Sequence, residues 1–350
     1  MKRHGSLFDQ IVSTDNLTLA HQNAKKGKDW YKEVRMVDKD VEGHIFALRK
    51  QLLSGTYKTG EYDVFKRLCG KKEREISRLP YYPDRIVHHA ILQVIGGIWT
   101  HTLVADTYAC IKGRGIHKAA KKLKRVLRHD RGLYCLKVDI RKFYPSVNHN
   151  VLKNIVRRKI KCIRTIELLD GIIDSTDSGI PIGNYLSQHF ANIYMSAFDH
   201  WIKETKGVKH YFRYSDDMIF LHRDKHYLHS LRAEMAEYLD KRLLLELKSN
   251  WQVFPVKTRG VDFLGYRFFP GYTLVRKSIS VRFKKQVALI RARRITGQKA
   301  ISSIMSYYGW LKPANSLNLI KMHIDSEVTL VISEACAQLG VRNPMQRVFR

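Results

Sequence analysis

Acidic residues are scarce in this chain, and over one long stretch they are missing. In 350 residues, 32 Asp and Glu face 63 Lys and Arg, a formal charge of +31. From Phe263 to Ile324 there is no Asp or Glu at all, while Arg267, Arg276, Lys277, Arg282, Lys284, Lys285, Arg291, Arg293, Arg294, Lys299, Lys312 and Lys321 accumulate. A solvated helix normally mixes signs, so this run is expected to meet a phosphate backbone. For the folded chain as a whole, the excess points to a polyanionic partner, nucleic acid rather than membrane. No apolar run approaches the roughly 20 residues that span a bilayer, and Met1-Lys-Arg-His-Gly-Ser lacks a signal-peptide core. These absences predict a cytoplasmic protein with no membrane partner. The five cysteines, Cys69, Cys110, Cys135, Cys162 and Cys336, are odd in number and widely spaced, with no Cys-x-x-Cys pair. Neither a disulfide framework nor a zinc site is supported, and they read as reduced core residues. Repeats and low-complexity tails are absent too, and 44% hydrophobic content suits a globular chain of two or three domain-sized units.

What is present is organised around Tyr211-Phe-Arg-Tyr-Ser-Asp-Asp-Met-Ile-Phe-Leu221. The aromatic and β-favouring flanks read as two short buried strands, with Ser-Asp-Asp as a tight turn between them. Asp216 and Asp217 are thus adjacent carboxylates at a hairpin tip. Such a pair repels itself and resists desolvation unless divalent cations or strong donors neutralise it; a solvated turn capped by its own Asp residues is the plainer alternative. Leu133-Tyr-Cys-Leu-Lys-Val-Asp-Ile140 alternates as a strand and delivers Asp139 at its end, the third acid a two-metal site needs. Two cations about 3.5 to 4 Å apart can activate a primer hydroxyl and stabilise a leaving pyrophosphate.

The chain up to about residue 65 is expected to be helical, with Val41, Ile45, Leu48, Leu52 and Leu53 on one face and a stop at Ser54-Gly55. A basic turn, Lys71-Lys-Glu-Arg74, leads to Arg78-Leu-Pro-Tyr-Tyr-Pro-Asp-Arg85, where two prolines enforce extension before a helix over Asp84 to Ile95. Arg74, Arg78 and Arg85 are candidates to line a groove, with solvated surface arginines the alternative. Tyr108 to Gly115 is expected to run as a strand into a Gly-flanked basic turn carrying Lys112 and Arg114, close enough to phosphate oxygens to hold a triphosphate, ahead of a helix from His117 to His129. Helical segments follow around 150 to 170, then Asp177-Ser-Gly-Ile-Pro-Ile-Gly183 and a helix from about Asn184 to Trp201. Ser187 and Gln188 fall in its first turn, the serine reading as a cap. A helix from about Tyr227 to Leu243 precedes Val261 to Phe269, read as one strand that Gly265 opens to a close backbone neighbour.

Taken together, the order of these blocks resembles a reverse transcriptase over about residues 60 to 270. Arg78-Leu-Pro to Arg85-Ile-Val-His-His and Lys112-Gly-Arg-Gly-Ile-His-Lys-Ala resemble the two fingers blocks. Lys137-Val-Asp-Ile-Arg-Lys-Phe-Tyr144 resembles the palm block with the first metal-binding Asp, and Tyr214-Ser-Asp-Asp217 matches the Tyr-x-Asp-Asp box. Leu247-Lys-Ser249 and Phe263-Leu-Gly-Tyr266 resemble the lysine block and the strand that grips the primer. Ile180-Pro-Ile-Gly-Asn-Tyr-Leu-Ser-Gln188 is similar to the enzymes of diversity-generating retroelements, although most relatives carry Gln where Ile182 stands. Those enzymes copy a template-repeat RNA with errors opposite adenine, and the mutated cDNA replaces a variable segment of a target gene. They work with a small basic accessory protein.

The resemblance implies an α+β right-hand polymerase: a helical lead-in over 1–60, fingers over 61–130 and 180–200, a palm with an antiparallel sheet over 131–179 and 201–274, and a helical thumb over 275–350. It implies two Mg²⁺ ions, with Mn²⁺ able to substitute, on Asp139, Asp216, Asp217 and the Ile140 backbone carbonyl. Lys112, Arg114, Arg141, Lys142, Phe143, Tyr144, Ile182, Gln188 and Lys248 would meet the dNTP, Tyr144 lying against the sugar to exclude a 2′ hydroxyl. Arg74, Arg78, Phe263, Leu264, Gly265, Tyr266, Arg282, Lys285 and Arg293 would meet primer and template. The implied partners are a template RNA, the RNA/cDNA duplex, dNTPs and an oligomeric accessory protein. The chain leaves no room after the thumb for an RNase H, maturase or endonuclease domain of ordinary size. Retron or phage-defence enzymes are the nearest alternative, though the Asn-Ala-x-x-His element usual in retron enzymes is missing. A non-catalytic RNA-binding scaffold would lack one or more acids, and all three are here.

Overall fold

The computed structural model describes residues 3–69 and 72–343. Lys71 of the expected basic turn, Met1 and Lys2 of the lead-in and residues 344–350 of the expected thumb lie outside them. The chain divides into two compact units, one of residues 1–115, 137–220 and 229–251, the other of residues 116–136, 221–228 and 252–350. Among the described residues no helix is long and apolar enough to cross a membrane. Cys135 and Cys336 are buried as expected, but Cys110 is exposed and Cys162 half-buried; all four are free thiols.

Two of the helices that open the first unit begin at side-chain caps. Ser13 accepts the Asn16 N–H ahead of the Thr14–Lys25 helix, and Asp40 accepts the Gly43 N–H ahead of the Val41–Leu53 helix. In the latter, Ile45, Leu48 and Leu52 are buried, whereas Leu53 is 38% exposed, one step round the helix from the apolar face. The apolar Ile86–Thr100 helix packs beneath: Asn16 Nδ2 donates to the Ala90 carbonyl (3.1 Å) and Gln93 Nε2 to the Asn16 carbonyl (3.0 Å). Helical structure therefore ends well before residue 65. An antiparallel hairpin follows, β1 (Asp63–Cys69) and β2 (Lys72–Arg78), in register Asp63↔Arg78 to Cys69↔Lys72. It escapes a periodicity reading because β1 is exposed along most of its length, and two-residue alternation is visible only where one face is buried.

Within the Ile86–Thr100 helix, His88 is fully buried, and burial, with the Arg85 and His89 charges adding, pushes its imidazole down to about 3. Burial and the charges of Arg85, Lys28 and Lys26 push His89 down to about 4. Both rings fold neutral and must charge on unfolding in acid. Their stabilisation is complete above the ordinary histidine value near 6.5 and is lost as pH falls from there toward the folded values. Urea unfolding at pH 7 and at pH 5.5 is expected to differ by about 2 kcal/mol through these two rings, and His88→Gln to remove about half of that difference. An identical pH dependence in the variant would refute the assignment.

The remaining strands of this unit are the end of β3 (Tyr134–Asp139), β4 (His210–Tyr214) and most of β5 (Asp217–His222), neighbours in the order β4-β5-β3. Residues 108–115 are not a strand. Thr107 makes one bridge to Arg213, and Cys110 then turns left-handed (φ 53°), which ends the extended backbone. The helix expected over 184–201 begins at Ser187 and runs as Ser187–Tyr194 and Ser196–His200. The serine does not cap it: the helix has no side-chain cap, Asn184 Oδ1 accepts the Leu186 N–H (2.9 Å) in the turn before it, and the Ser187 hydroxyl is buried without a hydrogen-bond partner.

In the second unit, β6 (Gln252–Pro255) is the neighbour of β3, and β7 (Val261–Phe263), β8 (Tyr266–Phe268) and β9 (Thr273–Val275) form an antiparallel meander. The segment expected as one strand is thus two, because Leu264 and Gly265 turn the chain; what approaches Gly265 closely is the Trp310 ring, not backbone. The helices Lys277–Arg291, Gly297–Leu311, Leu317–His323 and Ser326–Gln338 close over a core that includes Phe283, Val287, Ile290, Ile304, Val328 and Ile332.

Candidate active site

The turn between β4 and β5 is tight because Ser215 takes a left-handed conformation (φ 58°), which places Asp216 and Asp217 where the ladder closes. On either side, Tyr211, Phe212, Met218, Ile219 and Phe220 are fully buried, and Tyr211 stacks on Phe220 with ring centroids 4.9 Å apart. Strands packed on both faces hold the turn in one place. Asp139 ends the adjacent β3. Past it the chain pairs with residues 246–248: the Lys248 N–H donates to the Asp139 carbonyl (2.8 Å), the Arg141 N–H to the Glu246 carbonyl (2.8 Å), and Ile140 bridges Leu247. In that antiparallel register the peptide groups of Ile140 itself point away from Leu247.

The three carboxylates are electrostatically coupled. Burial, then the Asp139 charge, holds Asp216 above the usual carboxylate range. Burial pushes Asp217 up to about 6; Lys137 opposes the shift, and Asp139 and Asp216 add to it. Lys248 Nζ donates to Asp139 Oδ1 at 2.6 Å, and Lys137 Nζ lies 3.6 Å from Asp217 Oδ1. That last oxygen is buried and makes no hydrogen bond. Among the described residues, no three His, Cys, Asp or Glu side chains are gathered as a ready-made metal cage. The donor set nonetheless fits hard divalent cations: three carboxylates supply oxygen ligands, and Asp217 keeps one buried oxygen without a hydrogen bond.

Tyr144 reaches the same turn. Lys142 (φ 42°) starts the short Phe143–Ser146 helix, which buries Phe143 and leaves the Tyr144 hydroxyl 3.5 Å from Ser215 Oγ. Burial raises that phenol. The Gly-Ile-Pro-Ile-Gly segment is pinned at both ends. The Ile180 N–H donates to the Tyr144 carbonyl (2.9 Å), and the Ser77 N–H of β2 to the Ile182 carbonyl (2.7 Å). Its glycines are required by space as well as conformation: a Cβ on Gly179 (φ 67°) would sit 2.6 Å from Pro145 Cα, and one on Gly183 (φ 122°) 2.6 Å from the Ser77 oxygen. Ile182 between them is half-buried.

The first unit therefore brings together Asp139, Ile140, Asp216, Asp217, Lys248 and Tyr144, with Ile182 tied to Tyr144 through Ile180. Other expected residues stand differently. Arg114 Nη1 donates to the carbonyls of Val104 (2.6 Å) and Thr107 (3.2 Å), so it braces its own loop, while Lys112 and Gln188 are exposed. Arg141 is paired with Glu246 (2.9 Å), Lys142 is exposed, and Arg78 is paired with Asp63 (2.7 Å). Arg74 lies directly opposite Arg67 across the hairpin, a like-charge pair that an anion would relieve. In the second unit, Phe263, Leu264, Gly265 and Tyr266 are buried around the β7–β8 turn, and Arg282 and Lys285 are exposed on the Lys277–Arg291 helix. Arg293 forms a two-pronged pair with Glu334 (2.7 and 3.0 Å). The sequence reading passed over Lys137, although alternation along β3 puts it on the face of Asp139. It also passed over Arg213, a charged residue at a buried strand position.

Comparison with known proteins bears on this geometry. The model of the family described as reverse transcriptase (RNA-dependent DNA polymerase) matches residues 70–268. Protein YkfC of Escherichia coli (strain K12) is 25% identical over 266 residues, 63% of this chain and 70% of YkfC. The group II intron-encoded protein LtrA of Lactococcus lactis subsp. cremoris is 23% identical over 216 residues, 57% of this chain but 35% of LtrA. Among solved structures, apo telomerase from Candida tropicalis gives a TM-score of 0.51 at 14% identity, covering 83% of this chain and 58% of that one. At that identity the likeness is one of fold.

Proposed function

Because the chain belongs to the reverse transcriptase family, with the right-hand polymerase fold and its α+β class, we propose that it transfers deoxynucleotidyl units from dNTPs to a primer 3′ hydroxyl along an RNA template. The observation that carries this reading is the Asp216–Asp217 turn beside Asp139, three coupled carboxylates of which Asp217 keeps a buried oxygen without a hydrogen bond. Asp139, Asp216 and Asp217 would hold two Mg²⁺ ions, or Mn²⁺ in their place, with the Ile140 carbonyl assisting. When bound, the ions supply activation of the primer hydroxyl and charge stabilisation for the leaving pyrophosphate. Lys248 and Lys137 keep the acids compatible at close quarters. Tyr144, fixed next to Ser215, supplies the surface against which the sugar of the incoming nucleotide is judged. Exposed Lys112, Lys142 and Gln188 remain available to the triphosphate, and the exposed bases Arg74, Arg282 and Lys285 to the nucleic-acid backbone. The proposed division is a lead-in over 1–60, fingers over 61–130 and 180–200, palm over 131–179 and 201–274, and thumb from 275, in a cytoplasmic protein of a prokaryote or phage.

The finer reading is a diversity-generating retroelement enzyme that makes error-prone cDNA from a template-repeat RNA with a small, oligomeric basic accessory protein. Ile182 supports it. Where relatives carry Gln, an amide can test the geometry of the incoming pair by hydrogen bonding, whereas isoleucine supplies shape alone. A contact worth about 0.5 to 1.5 kcal/mol, made mainly in the correctly paired transition state, corresponds to roughly two- to tenfold discrimination. Sequencing cDNA made on one template containing all four bases is expected to show frequent wild-type errors at adenine that fall by this factor in Ile182→Gln. An unchanged error spectrum with extension preserved would remove Ile182 from fidelity, and accurate wild-type copying would favour the retron or phage-defence reading.

A further inference from the structure

Directly beneath the acidic turn lies a charged group that none of the chemistry above uses. Arg213, two residues before the turn's Ser215, has a fully buried side chain, and so has Asp199 of the Ser196–His200 helix. Arg213 Nε donates to Asp199 Oδ1 (2.8 Å) and Nη2 to Asp199 Oδ2 (2.6 Å). Nη1 donates to Asn192 Oδ1 (3.4 Å) and, alone among these bonds, to the turn itself at the Ser215 carbonyl (3.2 Å). The other Nη2 hydrogen is shared between the Asn192 carbonyl (3.4 Å) and Thr107 Oγ1 (3.5 Å). Asp199 is saturated from the other side, accepting from the Tyr211 hydroxyl (2.7 Å) and Thr107 Oγ1 (3.0 Å). The backbone is fixed as well: the Arg213 N–H donates to the Asp106 carbonyl (2.9 Å), and the Tyr108 N–H to the Arg213 carbonyl (3.0 Å).

A buried ion pair is weak evidence for stability, because an apolar pair of similar volume commonly holds a fold as well. What an apolar pair cannot do is donate to a carbonyl. Ser215 is left-handed at the point where the ladder ends, so the plane of the peptide joining it to Asp216 is set by whatever bonds its oxygen. That donor is a planar guanidinium clamped on its far side by a carboxylate, a rigid fork that a flexible ammonium does not reproduce. Its charge is neutralised by Asp199, with which it forms a fully buried ion pair. The group can therefore aim the acid without taking the cation's place.

We propose that Arg213, anchored by Asp199, is the positioning residue of the active site: through the Ser215 carbonyl it fixes the direction in which Asp216 and Asp217 leave the turn. The proposal rests on the reverse transcriptase reading and deepens it. The decisive variant is the double replacement Arg213→Met with Asp199→Leu, which removes both charges together and leaves no unpaired charge, while the Tyr211 and Thr107 hydroxyls and the Asn192 side-chain oxygen each lose a partner. It is expected to fold cooperatively with a melting temperature lowered by no more than about 10 °C, to keep its RNA affinity within twofold, to lose at least thirtyfold in kcat with little change in KM for dNTP, and to bind Mn²⁺, followed by electron paramagnetic resonance, at least fivefold more weakly. A folded double variant with kcat and Mn²⁺ affinity within twofold of wild type would overturn the proposal. Should that variant not fold, Arg213→Lys carries the same test, since it keeps the buried charge but not the fork: at least a tenfold fall in kcat and a threefold weaker Mn²⁺ affinity are expected, and wild-type values overturn the idea. A wild-type chain that extends no primer would instead overturn the proposed function, and the Mn²⁺ comparison would still decide the role of Arg213.

Discussion

Asp216→Ala and Asp139→Ala are each expected to lower primer extension on an RNA template by at least a thousandfold, about 4 kcal/mol of barrier, while RNA affinity changes less than twofold. The separation follows from what the side chains do. The three acids are near enough for their charges to act on one another, and burial with this repulsion holds Asp216 and Asp217 above the usual carboxylate range. Groups kept together at that cost are suited to a divalent cation, and removing one dismantles the cation's donor set. The exposed bases that attract a phosphate backbone are untouched by either substitution. Folding should hold too, because both acids sit at strand ends and are not core residues. The measurement is single-turnover extension with Mg²⁺ beside an RNA-binding titration. Activity within tenfold of wild type, under about 1.4 kcal/mol, would sink the metal assignment.

The second large effect concerns salt. The acid-free run from Phe263 to Ile324 looks uniformly cationic in sequence, but acids just outside it reach in. Arg276 pairs with Asp262, Arg291 with Asp325 (2.6 Å), and Arg293 with Glu334 (2.7 Å). Lys284, Lys285 and Arg294 are exposed and are the better candidates for phosphate contact. Replacing these three by Ala is expected to reduce the slope of log affinity against log salt by about 2 to 3 and to weaken RNA binding on the order of 100-fold at 150 mM salt, since each lost contact removes about 0.9 of a released counterion. Arg291→Ala with Arg293→Ala should change the slope by less than about 1, because those guanidinium groups already face carboxylates. Anisotropy titrations from 50 to 300 mM salt decide it: parallel lines for wild type and the triple variant would place Lys284, Lys285 and Arg294 away from nucleic acid, and a larger effect from the paired arginines would reverse the assignment.

How much of this was legible beforehand depended on the range over which each feature is determined. The Asp216–Asp217 turn, Asp139 at its strand end, the helices over 117–129 and 227–243 and the apolar face and stop of the Val41–Leu53 helix were all open to a linear reading. In each, burial period, turn residues and caps lie within a few positions of one another. The β1–β2 hairpin was missed because β1, exposed along most of its length, leaves no alternation to see, and the apparent strand at 108–115 was an illusion of composition, broken by Cys110 in a left-handed conformation.

Only the tertiary structure decided how the charges are used. Asp139 finds Lys248 109 positions away, Asp199 finds Thr107 92 positions away, and Gly183 is a glycine because Ser77 of a distant strand passes against it. Arg114 and Arg213 illustrate the same limit: in sequence each is simply a basic residue, yet one braces its own loop and the other is buried beside the Asp216–Asp217 turn. A cation's side chain is long and its favourable partners are many, so whether it meets solvent, a carbonyl, a carboxylate or a phosphate is set by which elements pack beside it. Local pattern fixes where the acids stand along the chain, and long-range packing alone settles which cations stand against them.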